Sequence, residues 1–196
     1  MKNALILHGT DFDKVLNQRF NNWFPWLKKE LEILGYDVWV PELPEAWHPD
    51  LERYWNFLKD FNFNEETIII GHSSGGAMVF GLLHKLPPEK KIRLAVSVAG
   101  FYKDEGWNCG GLFSESYNWK KIIEQAEKIL VFWSPNDPYI LKDQIEYLTK
   151  QLHIKPVIFP NKGHFNIESN KDYKQFPELL EMIKNLEVKN LADDLF

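Results

Sequence analysis

The stretch TIIIGHSSGGAMVFGLLHKL at residues 67–86 carries three local signals in succession. TIII (67–70) is a short, unbroken apolar run rich in β-branched residues, the pattern of a strand buried on both faces. AMVFGLLHKL (77–86) reads as a largely apolar helix, and Pro87 and Pro88 stop it. GHSSGG (71–76) between them is a turn of small residues. Strand, tight turn and helix in that order form the half-unit of a parallel sheet covered by helices.

Working outward, the same alternation recurs. Apolar runs at 4–7 (ALIL), 38–40 (VWV), 92–100 (IRLAVSVAG), 129–133 (ILVFW) and 156–160 (PVIFP) predict five further strands. Helical periodicity predicts helices over 23–34, 50–61, 119–126, 139–152 and roughly 176–186. In the first of these, Trp23, Leu27, Leu31 and Leu34 share a face, Pro25 fits the first turn and Gly35 is placed to end it. The predicted fold is α/β: a doubly wound, mostly parallel six-stranded sheet between helices, in a single domain over 1–196. No internal repeat or linker interrupts it. The tail NLADDLF (190–196) is expected to fray.

Composition narrows the function. The chain has 196 residues, 44% of them hydrophobic, and a net charge of −5. Charges of both signs are interspersed, which favours neither nucleic acid nor an anionic membrane as partner. The single Cys109 can form no internal disulfide, which suits a reducing cytoplasm, and it reads as an incidental thiol. The start MKNALILHGTD lacks a signal-peptide pattern, and no apolar run approaches the roughly 18 residues of a membrane span. A cytoplasmic location is therefore expected. Asp11 and Asp13 lack a third ligand, so no metal and no cofactor is assigned.

In such sheets ligands bind beyond the carboxyl ends of the strands. The segments there are HGTD (8–11), PELPEAWHP (41–49), GHSSGG, GFYKDEGWN (100–108), SPNDP (134–138) and NKGHF (161–165). GHSSG matches the G-x-S-x-G nucleophile elbow. A serine projecting from such a turn needs small residues two positions before and after it. Ser73 has Gly71 and Gly75 there, whereas Ser74 would have the bulky His72 on one side. Ser73 is thus the candidate nucleophile. The backbone N–H of Ser74, at the helix N-terminus, is a candidate oxyanion donor. An ordinary glycine-rich turn is the competing reading.

A serine hydroxyl needs a base, and the base an orienting acid. Of six histidines, His164 follows the last strand and Gly163, and it follows Ser73 in the order Ser, Asp, His. His8 follows the first strand, where it is expected to shape the oxyanion loop, His72 lies inside the elbow, His48 lies in the second loop, and His84 and His153 fall on or at the ends of helices. Asp137 in SPNDP is the candidate acid, and an Asx turn that caps the next helix is its competing reading. Asp104 and Asp143 are weaker candidates. The second oxyanion donor is expected to be the N–H of Thr10, next to Gly9. Trp47, Trp107 and Trp133 are expected to wall an apolar cleft, with 101–118 as a small flap.

The HG-type opening, NWFPWLKKEL (22–31), GHSSGG, SPNDP and NKGHF together resemble the small, lid-poor serine α/β-hydrolases grouped with retinoblastoma-binding protein 9 and its bacterial relatives. The resemblance spans residues 4 to about 186. It implies a minimal α/β-hydrolase fold, hydrolysis of ester-type substrates and a triad of Ser73, Asp137 and His164. A small ester is then the expected partner. No short motif suggests the protein partner in the family's name. A non-catalytic binding protein on the same scaffold is the alternative. A phosphate cradle ranks lower, because GHSSGG lacks the P-loop spacing and its lysine.

Overall fold

The computed structural model describes residues 1–14 and 17–193. Among these residues six strands form one sheet: β1 (Asn3–Leu7), β2 (Asp37–Trp39), β3 (Thr67–His72), β4 (Ile92–Val98), β5 (Ala126–Trp133) and β6 (Val157–Ile158). Their order is β2-β1-β3-β4-β5-β6 and every pairing is parallel. The helices are α1 (Phe24–Ile33), α2 (Leu51–Leu58), α3 (Ser74–Lys85), α4 (Trp119–Glu124), α5 (Lys142–Leu152) and α6 (Pro177–Asp193). This is the doubly wound α/β fold that the alternation predicts. Strands β1 and β3 are buried along their whole length, which is why they read as continuous apolar runs.

The winding direction reverses between β1 and β3, and the crevice opens at that switch point. The turn after β1 therefore lies beside the turn after β3. The edge strands β2 and β6 are very short, which limits exposed pairing groups.

Several element ends differ from expectation for local reasons. Strand β6 keeps two of five expected residues because Pro156 and Pro160 carry no N–H for a ladder. Helix α5 starts at Lys142 rather than 139, because the N–H groups of Tyr139 and Ile140 both donate to Asp137 Oδ1, at 2.9 and 3.0 Å. Strand β4 ends at Val98, since Ala99 takes a left-handed φ of 49°. Helix α2 begins after Asp50, whose side chain accepts from the Arg53 N–H at 2.8 Å. Helix α1 ends as expected at Gly35, with φ of 87°. Its buried face starts at Trp23 and includes Phe24, Leu27 and Leu31, whereas Leu34 is only partly covered.

Helix α6 runs past 186 to Asp193, so 190–193 are helical rather than frayed, and 194–196 lie outside the described residues. Glu187 anchors this helix under the amino ends of the strands. It accepts from Lys2 and from the Tyr36 hydroxyl, and pairs with Arg93 Nη1 at 3.0 Å. Burial alone would raise its carboxyl pKa; those hydrogen bonds outweigh that and lower it. Among the described residues no helix is long and apolar enough to cross a membrane.

Candidate active site

Ser73 sits between β3 and α3 with φ of 56° and ψ of −122°. For a residue with a Cβ this costs about 1–3 kcal/mol. The turn is held from both sides, because the Ser73 N–H donates to Val98 O at 2.9 Å and its carbonyl accepts from Ala77 N–H at 3.0 Å. The two glycines are sterically required. A Cβ on Gly71 would lie 2.1 Å from Gly75 O, and one on Gly75 would lie 2.4 Å from His8 O. Ser74 is buried and opens α3, and its hydroxyl accepts from Thr10 Oγ1 at 2.9 Å.

The other two sequence candidates meet in the same region. His164 Nδ1 lies 2.8 Å from Asp137 Oδ2, and both side chains are nearly fully buried. A carboxylate only accepts, so Nδ1 carries the proton and Nε2 of the neutral ring is left with its lone pair. Asp137 divides its two oxygens between two sets of partners. Oδ1 closes the turn at 139–140, and Oδ2 faces His164. Ser73 and His164 line one cleft, but no hydrogen bond joins the serine hydroxyl to the His164 ring.

His8 shapes the turn after β1. Its Nε2 accepts from the Leu43 N–H at 2.9 Å, so the proton sits on Nδ1, which donates to Gly9 O at 2.7 Å. Burial, opposed by that bond and by Glu42 and Asp11, lowers its pKa and keeps it neutral. The Gly9–Thr10 peptide is trans, as cis bonds are absent from the described residues, so Thr10 N–H points opposite to the carbonyl that His8 holds. Neither Thr10 N–H nor Ser74 N–H has a hydrogen-bond partner among the described residues. The Thr10–Ser74 hydroxyl contact ties the two turns together.

The cleft has a volume of about 250 Å³. Of the three tryptophans expected to wall it, Trp107 does. Trp133 does not, because it is a strand residue turned into the core, with Nε1 donating to Ile140 O at 2.9 Å. Trp47 also lies outside, beneath the Lys14 ammonium at 5.4 Å. The remaining rings come from Phe12, Phe24, Phe101 and Tyr139, none of them foreseen. Phe12 and Tyr139 directly follow HGTD and SPNDP, a proximity in sequence that could have flagged them.

The 101–118 stretch supplies Phe101, Trp107 and Cys109 to one wall. It is pinned where Tyr102 N–H donates to Gln144 Oε1 at 3.1 Å and Asn118 N–H donates to His84 Nδ1 at 3.1 Å. Cys109 is buried, and that burial, partly offset by Thr10, pushes its thiol up to about 11. Such burial disfavours the thiolate. Asp104 accepts from the Trp107 N–H at 2.8 Å, and Asp143 sits 3.7 Å from Lys103 on the surface, so neither serves His164. Asp11 accepts from Gln18 Nε2 at 3.0 Å, and Asp13 stands exposed at the cleft rim.

The family model described as serine hydrolase matches residues 5–185. The serine hydrolase RBBP9 of Rattus norvegicus is 28% identical over 176 residues, which are 85% of this chain and 87% of that protein. YdeN of Bacillus subtilis is 27% identical over 168 residues, covering 84% of this chain and 86% of that protein. The crystal structure of the ydeN gene product superimposes with a TM-score of 0.80 at 23% identity, over 96% of this chain and all of that one. Est1E of Butyrivibrio proteoclasticus, solved with ferulic acid bound, gives a TM-score of 0.65 at 12% identity, over 98% and 90%.

Proposed function

Because the chain belongs to the serine hydrolase family, we propose that it cleaves small carboxylic esters through a triad of Ser73, His164 and Asp137. One observation carries the reading. A strained serine elbow and a buried, hydrogen-bonded His–Asp pair open onto one cleft. Ser73 Oγ attacks the ester carbonyl while His164 Nε2 takes its proton. The tetrahedral intermediate collapses to an acyl-Ser73, and His164 passes the proton to the departing alkoxide. Water, deprotonated by His164, then releases the acid and restores Ser73.

Asp137 holds His164 in the Nδ1–H tautomer and stabilises the imidazolium that forms. The N–H groups of Ser74 and Thr10 receive the oxyanion, each worth about 3 kcal/mol of barrier. His8 contributes by fixing the Gly9–Thr10 peptide plane.

The test is labelling by a fluorophosphonate. Wild-type protein is expected to take one label at Ser73 and Ser73→Ala none. Unlabelled, well-folded wild-type protein would favour the non-catalytic binding alternative instead.

Cleft size bounds the acyl group. At about 250 Å³ it lies below the roughly 300–1,000 Å³ of sites that enclose drug-sized ligands. Acetyl and butyryl esters are expected to be turned over faster than a palmitoyl ester, most of whose chain would remain in water. Comparable kcat/KM on p-nitrophenyl butyrate and palmitate would contradict this.

A further inference from the structure

We infer that His72, the residue before the nucleophile, is a positioning residue that fixes the main chain of His164 to the strand bearing Ser73. The inference rests on the reading of His164 as general base. His164 lies in a segment without regular structure, where Asn161, Gly163 and Phe165 all take left-handed φ, at 61°, 56° and 54°. No sheet or helix ladder sets its place, so side chains must do so.

Six side-chain bonds hold main-chain groups of residues 162–167. Lys162 N–H donates to Ser134 Oγ and Gly163 N–H to Asn136 Oδ1, each at 3.0 Å. His164 N–H donates to Ser169 Oγ at 3.0 Å and Ile167 N–H to Asn22 Oδ1 at 2.9 Å. Trp23 Nε1 donates to Phe165 O at 3.0 Å. The sixth is the shortest: His72 Nε2 lies 2.7 Å from His164 O. It alone starts from β3, one residue from the nucleophile, so it directly sets the separation of Ser73 and His164.

The chemistry of this bond is defined. A carbonyl oxygen only accepts, so Nε2 of His72 must carry the proton. Burial foremost, then the neighbouring His164, push the pKa of His72 down to about 3, against the raising effect of the bond to His164 O. The ring is therefore neutral, holds a single proton and keeps it on Nε2 throughout the working range. It packs 4.9 Å from the His164 ring and about 6 Å from Trp23 and Phe24. A tether of this kind acts on geometry, and displacing a reacting group by about 1 Å can cost on the order of 100-fold in rate.

The experiment compares wild type, His72→Phe and His72→Gln on one short-chain ester, with active sites counted by fluorophosphonate titration. Phenylalanine keeps a ring and loses the donor. Glutamine carries an amide N–H about as far out as imidazole Nε2. His72→Phe is expected to lower kcat about 10–100-fold with KM within about threefold, and His72→Gln to recover to within about threefold of wild type. A residue that only filled space would give the opposite order, with Phe the better replacement. Wild-type kcat in His72→Phe, or a Gln variant as slow as the Phe variant, overturns the inference alone. Wild-type protein that neither hydrolyses esters nor labels at Ser73 overturns the active-site reading and this inference with it. Independently of activity, ¹⁵N–¹H NMR of the imidazoles should show the His72 proton on Nε2, unchanged from pH 8 to 5. A proton on Nδ1 overturns the inference.

Discussion

Ser73→Ala is expected to lower kcat on a short-chain ester by on the order of 10⁶-fold, as loss of the nucleophile does in serine hydrolases generally. The fold should survive. Alanine keeps the Cβ, so the cost of φ 56° and ψ −122° at this position is unchanged, and both backbone bonds of the turn remain available. KM should move little, since the cleft walls are untouched. Steady-state kinetics with a thermal melt would check both halves. A variant within 100-fold of wild type would mean that another group, or water activated by His164 alone, carries the reaction. Ser74→Ala makes the informative contrast. Its hydroxyl is bonded to Thr10 rather than presented to substrate, so it should keep its chemistry and lose at most the tie between the two turns.

The second large effect is expected for Asp137→Asn, on the order of 10⁴-fold in kcat at neutral pH. The structure supplies the reason in atoms. Oδ1 is committed to the N–H groups of Tyr139 and Ile140, so the asparagine amide must place its oxygen there and its NH₂ toward His164. An NH₂ group facing Nδ1 makes that nitrogen an acceptor and moves the imidazole proton to Nε2. The base then points a proton, not a lone pair, at Ser73. Because the turn at 139–140 is kept, stability should fall little. Asp137→Ala should lose both oxygens, and so combine low activity with a lower Tm. An asparagine variant within tenfold of wild type, from kcat measured across pH, would remove Asp137 from the proposed triad.

The order and type of elements were legible in the sequence, because a buried parallel strand must be a continuous apolar run. GHSSGG shows why the elbow was legible too. The constraint at Gly71 and Gly75 is local, acting across a turn of five residues, so the spacing of small residues reports it. His164 and Asp137 were readable as strand-end residues in the right order. Element ends were less so. Asp137 held back the start of α5 by bonding the N–H groups of 139 and 140, a competition between side chain and helix that propensity does not register.

What meets across the sheet edge was set by long-range packing. Trp133 ends β5 and is turned into the core, where its Nε1 donates to Ile140 O, whereas Trp107 lies in the irregular segment after β4, which folds over to face the cleft. Phe12, Phe24 and Tyr139 became cleft walls only when the segments after β1 and β5 were brought to one opening. The tether from His72 to His164 O spans 92 positions in the chain. By itself the amino-acid sequence determined which chemistry-bearing residues stand at the ends of which strands, since that depends on short-range pattern. Which atoms they bond, and so which histidine faces the Asp137 carboxylate and which is held neutral against a main-chain carbonyl, depends on partners far apart in the chain. Those partners meet only in the folded protein.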